Sequence, residues 1–326
     1  MDLSTRYMGL PLRSPLIASA SPLTSDLGAL RALEDHGAGA IVLPSMFEEE
    51  LVAEQIELEL RTEELGASPV AEGQDLDPLS YLELVRRAKD ALEIPVIASL
   101  NCVSQSGWVD YARGLAEAGA DAIELNIYFF PADVTTSGLV IENHYLEVLA
   151  SVRNAVSLPI AMKLSPYFTA FGAMARALSE GGAAGLVLFN RFYQPDIDVQ
   201  QLRPEMDLEL STPSEMRLPL LWIAILHGRV TASLAASTGV ESATDVFKYL
   251  LAGADVVMTT SSLLRHGVGH MRTLVDGLRG LLAERDFASV AAIRGRLSQQ
   301  NVEDPTQLER VNYLRILHGY KLSKAR

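Results

Sequence analysis

The side chain most able to do chemistry in this sequence is a lysine set among apolar residues, Met162-Lys163-Leu164-Ser165-Pro166. An enclosed amine is costly unless an anion, a hydrogen-bonding ligand or a reactive carbonyl meets it. Three asparagines close similar apolar runs: Asn101, Asn126 in Glu124-Leu125-Asn126, and Asn190 in Leu188-Phe189-Asn190. Ser19, Ala20 and Ser21 end another run, and Thr238-Gly239 and Thr259-Thr260-Ser261-Ser262 follow two more. Amides match the donor and acceptor edge of a planar heterocycle, and an amine beside that edge stabilises developing negative charge. Glycine and hydroxyl residues with free backbone N–H groups suit a phosphate. Taken alone, Gly239 reads equally well as an ordinary turn residue, while for Lys163 an amine merely held by a carboxylate such as Glu124 is the lesser alternative.

These residues share a position, because each lies at or just past the end of a short apolar run. The runs are Pro15–Ala20, Ala40–Leu43, Pro95–Leu100, Ala122–Asn126, Pro159–Leu164, Gly185–Asn190, Thr231–Ala236 and Asp255–Thr260. Amphipathic helical stretches separate them, near Leu27–His36, Leu79–Leu92, Trp108–Glu117, Asn143–Ala155, Gly172–Ser179, Met216–Leu226, Ala243–Leu251 and His270–Leu282. Steps such as Gly119-Ala120-Asp121 and Gly253-Ala254-Asp255 stop a helix and turn the chain into the next strand. Runs that are apolar throughout, rather than alternating, belong to a parallel sheet covered on both faces. Eight such units predict an α/β fold, a (β/α)8 TIM barrel over about residues 15–285 of a single domain spanning 1–326. An open doubly wound sheet fits less well, since no Gly-x-Gly-x-x-Gly opens a helix. In a barrel all the strand ends named above meet on the carboxyl-end face, where barrel enzymes build their sites.

Three segments stand outside the repeat. Residues 1–14, with Tyr7-Met8-Gly9-Leu10, predict a hairpin closing the barrel's bottom. Residues 44–77, rich in Glu and Gln, and 191–215, with Pro195, Pro204 and Pro213, fall on the catalytic side. The tail, residues 286–326, reads as a C-terminal extension of two further helices.

Forty-one acidic against 27 basic side chains give a net charge of −14, which argues against a nucleic-acid or anionic-membrane surface. Without a long apolar span or a basic-then-apolar leader, the sequence reads as a soluble cytoplasmic protein. Its single cysteine, Cys102, excludes an intrachain disulfide and any multi-cysteine metal or iron–sulfur site. No metal is expected, and redox chemistry would need a borrowed organic cofactor.

The best-matching segments are Ser14-Pro15-Leu16-Ile17-Ala18-Ser19-Ala20-Ser21, Ile97-Ala98-Ser99-Leu100 with Ala118-Gly119-Ala120-Asp121-Ala122-Ile123-Glu124-Leu125-Asn126, and Lys163-Leu164-Ser165-Pro166-Tyr167-Phe168. On these the chain resembles the dihydroorotate dehydrogenase family over roughly residues 3–285, and locally the FMN domain of dihydropyrimidine dehydrogenase. The resemblance implies an FMN cofactor with Ala18, Ser19, Ala20 and Ser21 against the flavin. Asn126, Lys163 and Asn190 would bond its ring, and Ser211, Thr212, Gly239, Thr260 and Ser261 would surround its phosphate. It also implies a homodimer.

The chain departs from the family pattern at three places. Pro44 stands where the family has a lysine near the flavin. Asn126-Ile127-Tyr128-Phe129-Phe130-Pro131 replaces the segment carrying the catalytic Cys or Ser. Ser237-Thr238-Gly239 replaces paired glycines. Cys102 ends strand three, the wrong place for the missing base. Tyr128, His144, Tyr193 and His227 are the candidate replacements, Tyr128 being nearest in sequence.

Three functions remain open. One is an FMN oxidoreductase acting on a CH–CH bond of a small planar substrate and passing electrons to a diffusible acceptor or redox partner. Another is a non-catalytic FMN-binding or electron-relay subunit, with the aromatic segment filling the substrate space. The third is a flavin-free barrel enzyme for a sugar phosphate, using Lys163 as base or Schiff-base amine.

Overall fold

The computed structural model describes residues 1–48, 78–101, 105–129, 131–191, 194–205 and 208–309, together with Leu314 and Leu317. The chain opens with β1 (Thr5–Tyr7) and β2 (Leu10–Leu12), an antiparallel hairpin turning on Met8 and Gly9. Both turn residues have positive φ, 52° and 81°, the combination that matches a two-residue turn to the strands' twist. Next come β3 (Leu16–Ala18), α1 (Leu27–Asp35), β4 (Ala40–Phe47), α2 (Pro78–Ala91), β5 (Val96–Asn101) and α3 (Gln105–Glu117). They are followed by β6 (Ala122–Asn126), α4 (Gly138–Ala155), β7 (Ile160–Leu164), α5 (Phe171–Glu180) and β8 (Gly185–Leu188). A small hairpin, β9 (Asp196–Asp198) and β10 (Arg203–Glu205), interrupts the repeat before α6 (Arg217–Leu226). Then come β11 (Ser233–Ala236), α7 (Ala243–Ala252), β12 (Val256–Thr259), α8 (Ser261–His266), α9 (His270–Ala283) and α10 (Val290–Ile293).

The eight strands β3 to β8, β11 and β12 pair in parallel and close, β11 meeting both β8 and β12. The alternation hidden in their apolar sequences sorts the core into two clusters. Ile17, Val42, Ile97, Ala122, Ala161, Val187, Ala235 and Met258 fill the barrel interior. Their neighbours, among them Leu16, Ile41, Ala98, Ile123, Met162 and Val257, pack outward against the helices. The hairpin's Tyr7, Met8 and Leu12 belong to the interior cluster, so the hairpin plugs the amino end as expected. The plug fits tightly enough that a Cβ on Gly185 would lie 3.0 Å from both Met8 and the Tyr7 hydroxyl.

Every expected strand is present. β4 is longer than Ala40–Leu43, running to Phe47 past a register shift between Val42 and Ser45. α4 begins five residues before the expected Asn143, and α8 occupies a stretch expected as loop. In the tail, α10 and a single 3-10 turn at Pro305–Leu308 are the regular elements up to residue 309. Most of the expected loop 44–77 and the chain's end lie outside the described residues.

Candidate active site

Strand alternation explains which polar groups reach the barrel interior. On β6, Ala122, Glu124 and Asn126 share one face, and on β7 Lys163 follows Ala161. Lys163 stands level with Asn126 on the neighbouring strand, and its Nζ lies 3.3 Å from Glu124 Oε1. The Glu124 side chain is wholly buried and that of Lys163 is 10% exposed.

A ladder of side-chain hydrogen bonds crosses the same level. Asn190 Nδ2 donates to Asn126 Oδ1 at 2.5 Å, and Asn126 Nδ2 donates to Ser45 Oγ at 3.3 Å. Ser45 Oγ lies 2.8 Å from Ser99 Oγ. Ser45 faces inward because the irregularity in β4 inserts an extra residue between the pairs Val42–Ile97 and Ser45–Ser99. The Tyr81 hydroxyl, from α2, pins that irregularity by donating to Pro44 O at 2.7 Å while accepting from Ser99 N at 3.1 Å. Burial pushes the Tyr81 hydroxyl well above its ordinary value, so it stays protonated and able to donate.

Above Lys163 opens a cleft of about 270 Å³, just under the usual lower bound of ~300 Å³ for small-molecule sites. Ser19, Ala20 and Ser21 line one side, Phe189 and Asn190 another, and Ser211, Gly239, Thr260 and Ser261 a third. That third wall is a set of mutually bonded loops. Ser211 donates from both N and Oγ to Ser261 Oγ, at 3.1 and 2.9 Å, and Gly239 N donates to Ser211 Oγ at 3.2 Å. Gly239 has φ +74°, and a Cβ there would meet Thr212 O at 2.8 Å and Met216 Cβ at 3.0 Å. Only glycine fits this turn without displacement.

Thr238, in the segment that replaces the family's paired glycines, takes φ +83° as a threonine. Its Oγ1 donates to Phe189 O at 3.2 Å, and its carbonyl accepts from the Tyr249 hydroxyl at 2.8 Å. Arg265 ties the wall together, one nitrogen donating to Ser211 O at 2.7 Å and another meeting Glu241 Oε2 at 2.6 Å. Burial raises the Glu241 carboxyl, but bonds from His266 and Arg265 outweigh it and hold the group below its ordinary value.

The structure therefore gathers Ser19, Ala20, Ser21, Lys163, Asn190, Ser211, Gly239, Thr260 and Ser261 in one cleft. Asn126 joins through its bond to Asn190, and Asn101 is buried at the end of β5. Two candidates stand apart. Strand alternation turns the Ala18 methyl into the layer beneath the helices. Thr212 is exposed, with its Oγ1 2.8 Å from Ser214 Oγ at the start of a 3-10 turn.

Tyr128 lines a different cavity, with Ile127, Phe129, Asn143 and His144. His144, expected on a solvated helix start, lies in the second turn of α4, its ring 6.2 Å from that of Phe129. His227 caps α6, its Nδ1 3.0 Å from Gly253 O, at the opposite end of the barrel from the cleft. Tyr193 and Cys102 fall outside the described residues.

Ser45, Ser99, Tyr81 and Arg265 were not singled out from sequence. Ser99 was readable, since it sits two residues before Asn101 and so shares its face. Ser45 was not, because the β4 irregularity reverses the face that simple alternation assigns.

An amine, an amide and a cradle of hydroxyls and glycine at the carboxyl end of a (β/α)8 barrel define an enzyme site for a ligand carrying both a polar planar part and an anionic group. Comparison with known proteins gives the class its identity. Residues 72–282 match the family model described as dihydroorotate dehydrogenase, and the chain belongs to that family. A dihydroorotate dehydrogenase B (NAD(+)) catalytic subunit of Methanosarcina mazei is 26% identical over 88% of this chain and 92% of that one. A dihydroorotate dehydrogenase A (fumarate) of Lactobacillus delbrueckii is 24% identical over 78% of this chain and 85% of its own. The chloroplastic dihydropyrimidine dehydrogenase (NADP(+)) of Arabidopsis thaliana is 23% identical over 91% and 77%. The protein is a dihydroorotate dehydrogenase-like oxidoreductase.

Proposed function

We propose that the cleft binds FMN and that the protein moves a hydride between this flavin and a carbon of a small planar substrate, using a proton-handling group other than the family's Cys or Ser. The observation that carries the reading is that Lys163 and the Ser211–Gly239–Ser261 cradle open into one cleft. The residues present fit the cofactor. Gly239 lets the turn pack against Thr212 and Met216 as no other residue could, hydroxyls line the cleft beside it, and the Lys163 ammonium could meet the negative charge that a reduced ring develops. When bound, FMN supplies the hydride acceptor or donor.

The protein's own groups do the rest. Ser211, Gly239, Thr260 and Ser261 would hold the phosphate, and Ser19 to Ser21 would flank the ring. Lys163 and Asn190 fix its polar edge. Asn126 holds Asn190 in place, since its carbonyl already accepts the Asn190 amide. Tyr128, two residues after Asn126, is the sequence's candidate for moving the proton, but it lines a cavity that shares no residue with the cleft, so the proton-handling group is left unassigned in this reading. The Lys163–Glu124 pair weighs against the sugar-phosphate alternative, because a Schiff-base amine must give up its proton while Glu124 favours keeping it. Phe129 lines the other cavity rather than the cleft, which weighs against an aromatic plug in a non-catalytic relay. Among the described residues no helix is long and apolar enough to cross a membrane. A cytoplasmic homodimer, with electrons leaving to a diffusible acceptor or a redox partner, completes the reading.

The test is the visible spectrum of the purified protein, followed by heat release and identification of the chromophore. Flavin bands and released FMN are expected, and Lys163→Ala should lose the bound flavin or shift its potential. A colourless protein that takes up no added FMN would sink the proposal.

A further inference from the structure

Glu124 is enclosed by the barrel, yet only half of its carboxylate is used. Oε1 faces Lys163 Nζ at 3.3 Å, while Oε2 has no hydrogen-bond partner among the described residues. Beneath the pair lie Ala122, Ala161 and Val187 of the apolar interior cluster. A carboxylate sited for its own stability would have its remaining oxygen satisfied, since a buried acceptor left unpaired is destabilising. What Glu124 does achieve is local to Lys163. A lysine in apolar surroundings releases its proton unless an anion sits beside it.

The other titratable groups facing the pair do not take over that task. Tyr7, from the plug, and Tyr81, from α2, are neutral phenols held protonated by burial, and both sense the Glu124 charge. At the cleft mouth stand Glu209 and Arg191, the latter paired with Glu215 at 3.0 Å.

We propose that Glu124 is a positioning residue: it keeps the Lys163 amine charged and anchored at the cleft floor before any ligand arrives. The consequence for a flavin rests on the function proposed above, but the relation between Glu124 and Lys163 does not. With the charge already present, reducing the ligand to an anion requires no proton uptake by the lysine.

The test is competitive labelling of the flavin-free protein with acetic anhydride between pH 7 and 10, comparing peptides containing Lys163 and Lys248. Reactivity follows the neutral fraction of each amine. In Glu124→Gln, Lys163 labelling at pH 8 relative to Lys248 should rise at least tenfold, because the anion that favours the charged amine is gone. Glu124→Asp should restore most of the protection. An unchanged ratio in Glu124→Gln would overturn the proposal.

Should Glu124→Gln fold poorly, Lys163→Met and the double variant Glu124→Gln/Lys163→Met decide by thermal unfolding. The neutral double variant should melt higher than Lys163→Met, which strands a buried carboxylate. Strictly additive losses would overturn the pairing. If wild-type protein holds flavin, the pH dependence of its midpoint potential should steepen in Glu124→Gln above the pH at which the lysine gives up its proton, as a second proton then accompanies two electrons. If it holds none, the labelling result still stands and only the flavin reading falls.

Discussion

The two ends of the barrel interior are built from the same strands and have opposite chemistry. At the amino end Ala40, Ile97, Ala122, Ala161 and Val256 meet Tyr7, Met8 and Leu12 of the plug in a closed apolar layer. At the carboxyl end the same strands carry Ser45, Ser99, Glu124, Asn126 and Lys163, joined by hydrogen bonds and open to a cleft. The polar residues crowd onto β4 to β7, whereas β11 and β12 contribute backbone turns and hydroxyls that cradle the other half of the cleft. Burial of the lower layer supplies stability, at roughly 25 cal/mol per Å² of apolar surface. The upper layer gives some of it up, because each enclosed polar group must find partners and one oxygen of Glu124 has none among the described residues. One strand can thus serve both ends, its first inward residue for folding and its last for chemistry.

If the ends are separable, damage below should cost stability and spare the cleft. Tyr7→Ala removes a fully buried aromatic ring from the plug and should cost ~3–5 kcal/mol in denaturant unfolding. FMN affinity of the folded fraction should stay within about twofold. A parallel loss of affinity would break the division, showing that the plug sets the height of Glu124 and Lys163.

The reverse experiment is Gly239→Ala. The new methyl would sit 2.8 Å from a backbone oxygen at a φ that alanine rarely adopts, so a loss of ~1–3 kcal/mol is expected. The larger consequence should be on binding, with FMN affinity falling at least tenfold by absorbance titration. Equal FMN affinity in the two proteins would remove the cradle from the phosphate site.

The contrast between the ends also explains what the sequence reveals. Eight strands and the plug were legible because apolar runs, helix-stopping glycines and the Tyr7-Met8-Gly9-Leu10 turn act locally. Lys163, Asn190 and Gly239 were legible because a polar or flexible residue ending an apolar run is conspicuous. Ser45 was hidden by a one-residue irregularity that only pairing with β5 creates. Arg265 was hidden because its partners Ser211 and Glu241 come from separate loops, 54 and 24 positions away. Tyr128 looked well placed by adjacency to Asn126, yet the chain leaving β6 directs it into another cavity.

A smaller effect tests how the cleft's loops are braced. Asp245 closes a capping box at the start of α7, accepting from Ser242 N at 3.0 Å and Ser242 Oγ at 2.8 Å. Burial raises its carboxyl, but the bonds from Ser242 and Lys248 outweigh this, leaving it below the ordinary 3.8. A depressed folded value means that the stabilisation is complete above 3.8 and disappears as pH falls through the folded value. Asp245→Asn should therefore cost ~1 kcal/mol near neutrality, with the gap to wild type closing in acid. A gap that persists at the lowest pH would assign the loss to packing instead.

The smallest expected effect is the sharpest test of the comparison. The Tyr7 hydroxyl is buried at the inner end of the plug without a hydrogen-bond partner among the described residues, and burial, followed by the Glu124 charge, raises its pKa far above the ordinary 10. If the lower layer exists only to exclude water, that hydroxyl contributes nothing, and removing an unpaired buried donor is neutral or favourable. Tyr7→Phe should then melt at or slightly above the wild-type temperature, with Lys163 labelling unchanged. A drop of ~1 kcal/mol or more would show that Tyr7 communicates with the orphaned oxygen of Glu124. The plug would then belong to the chemistry of the upper layer as well as to the fold.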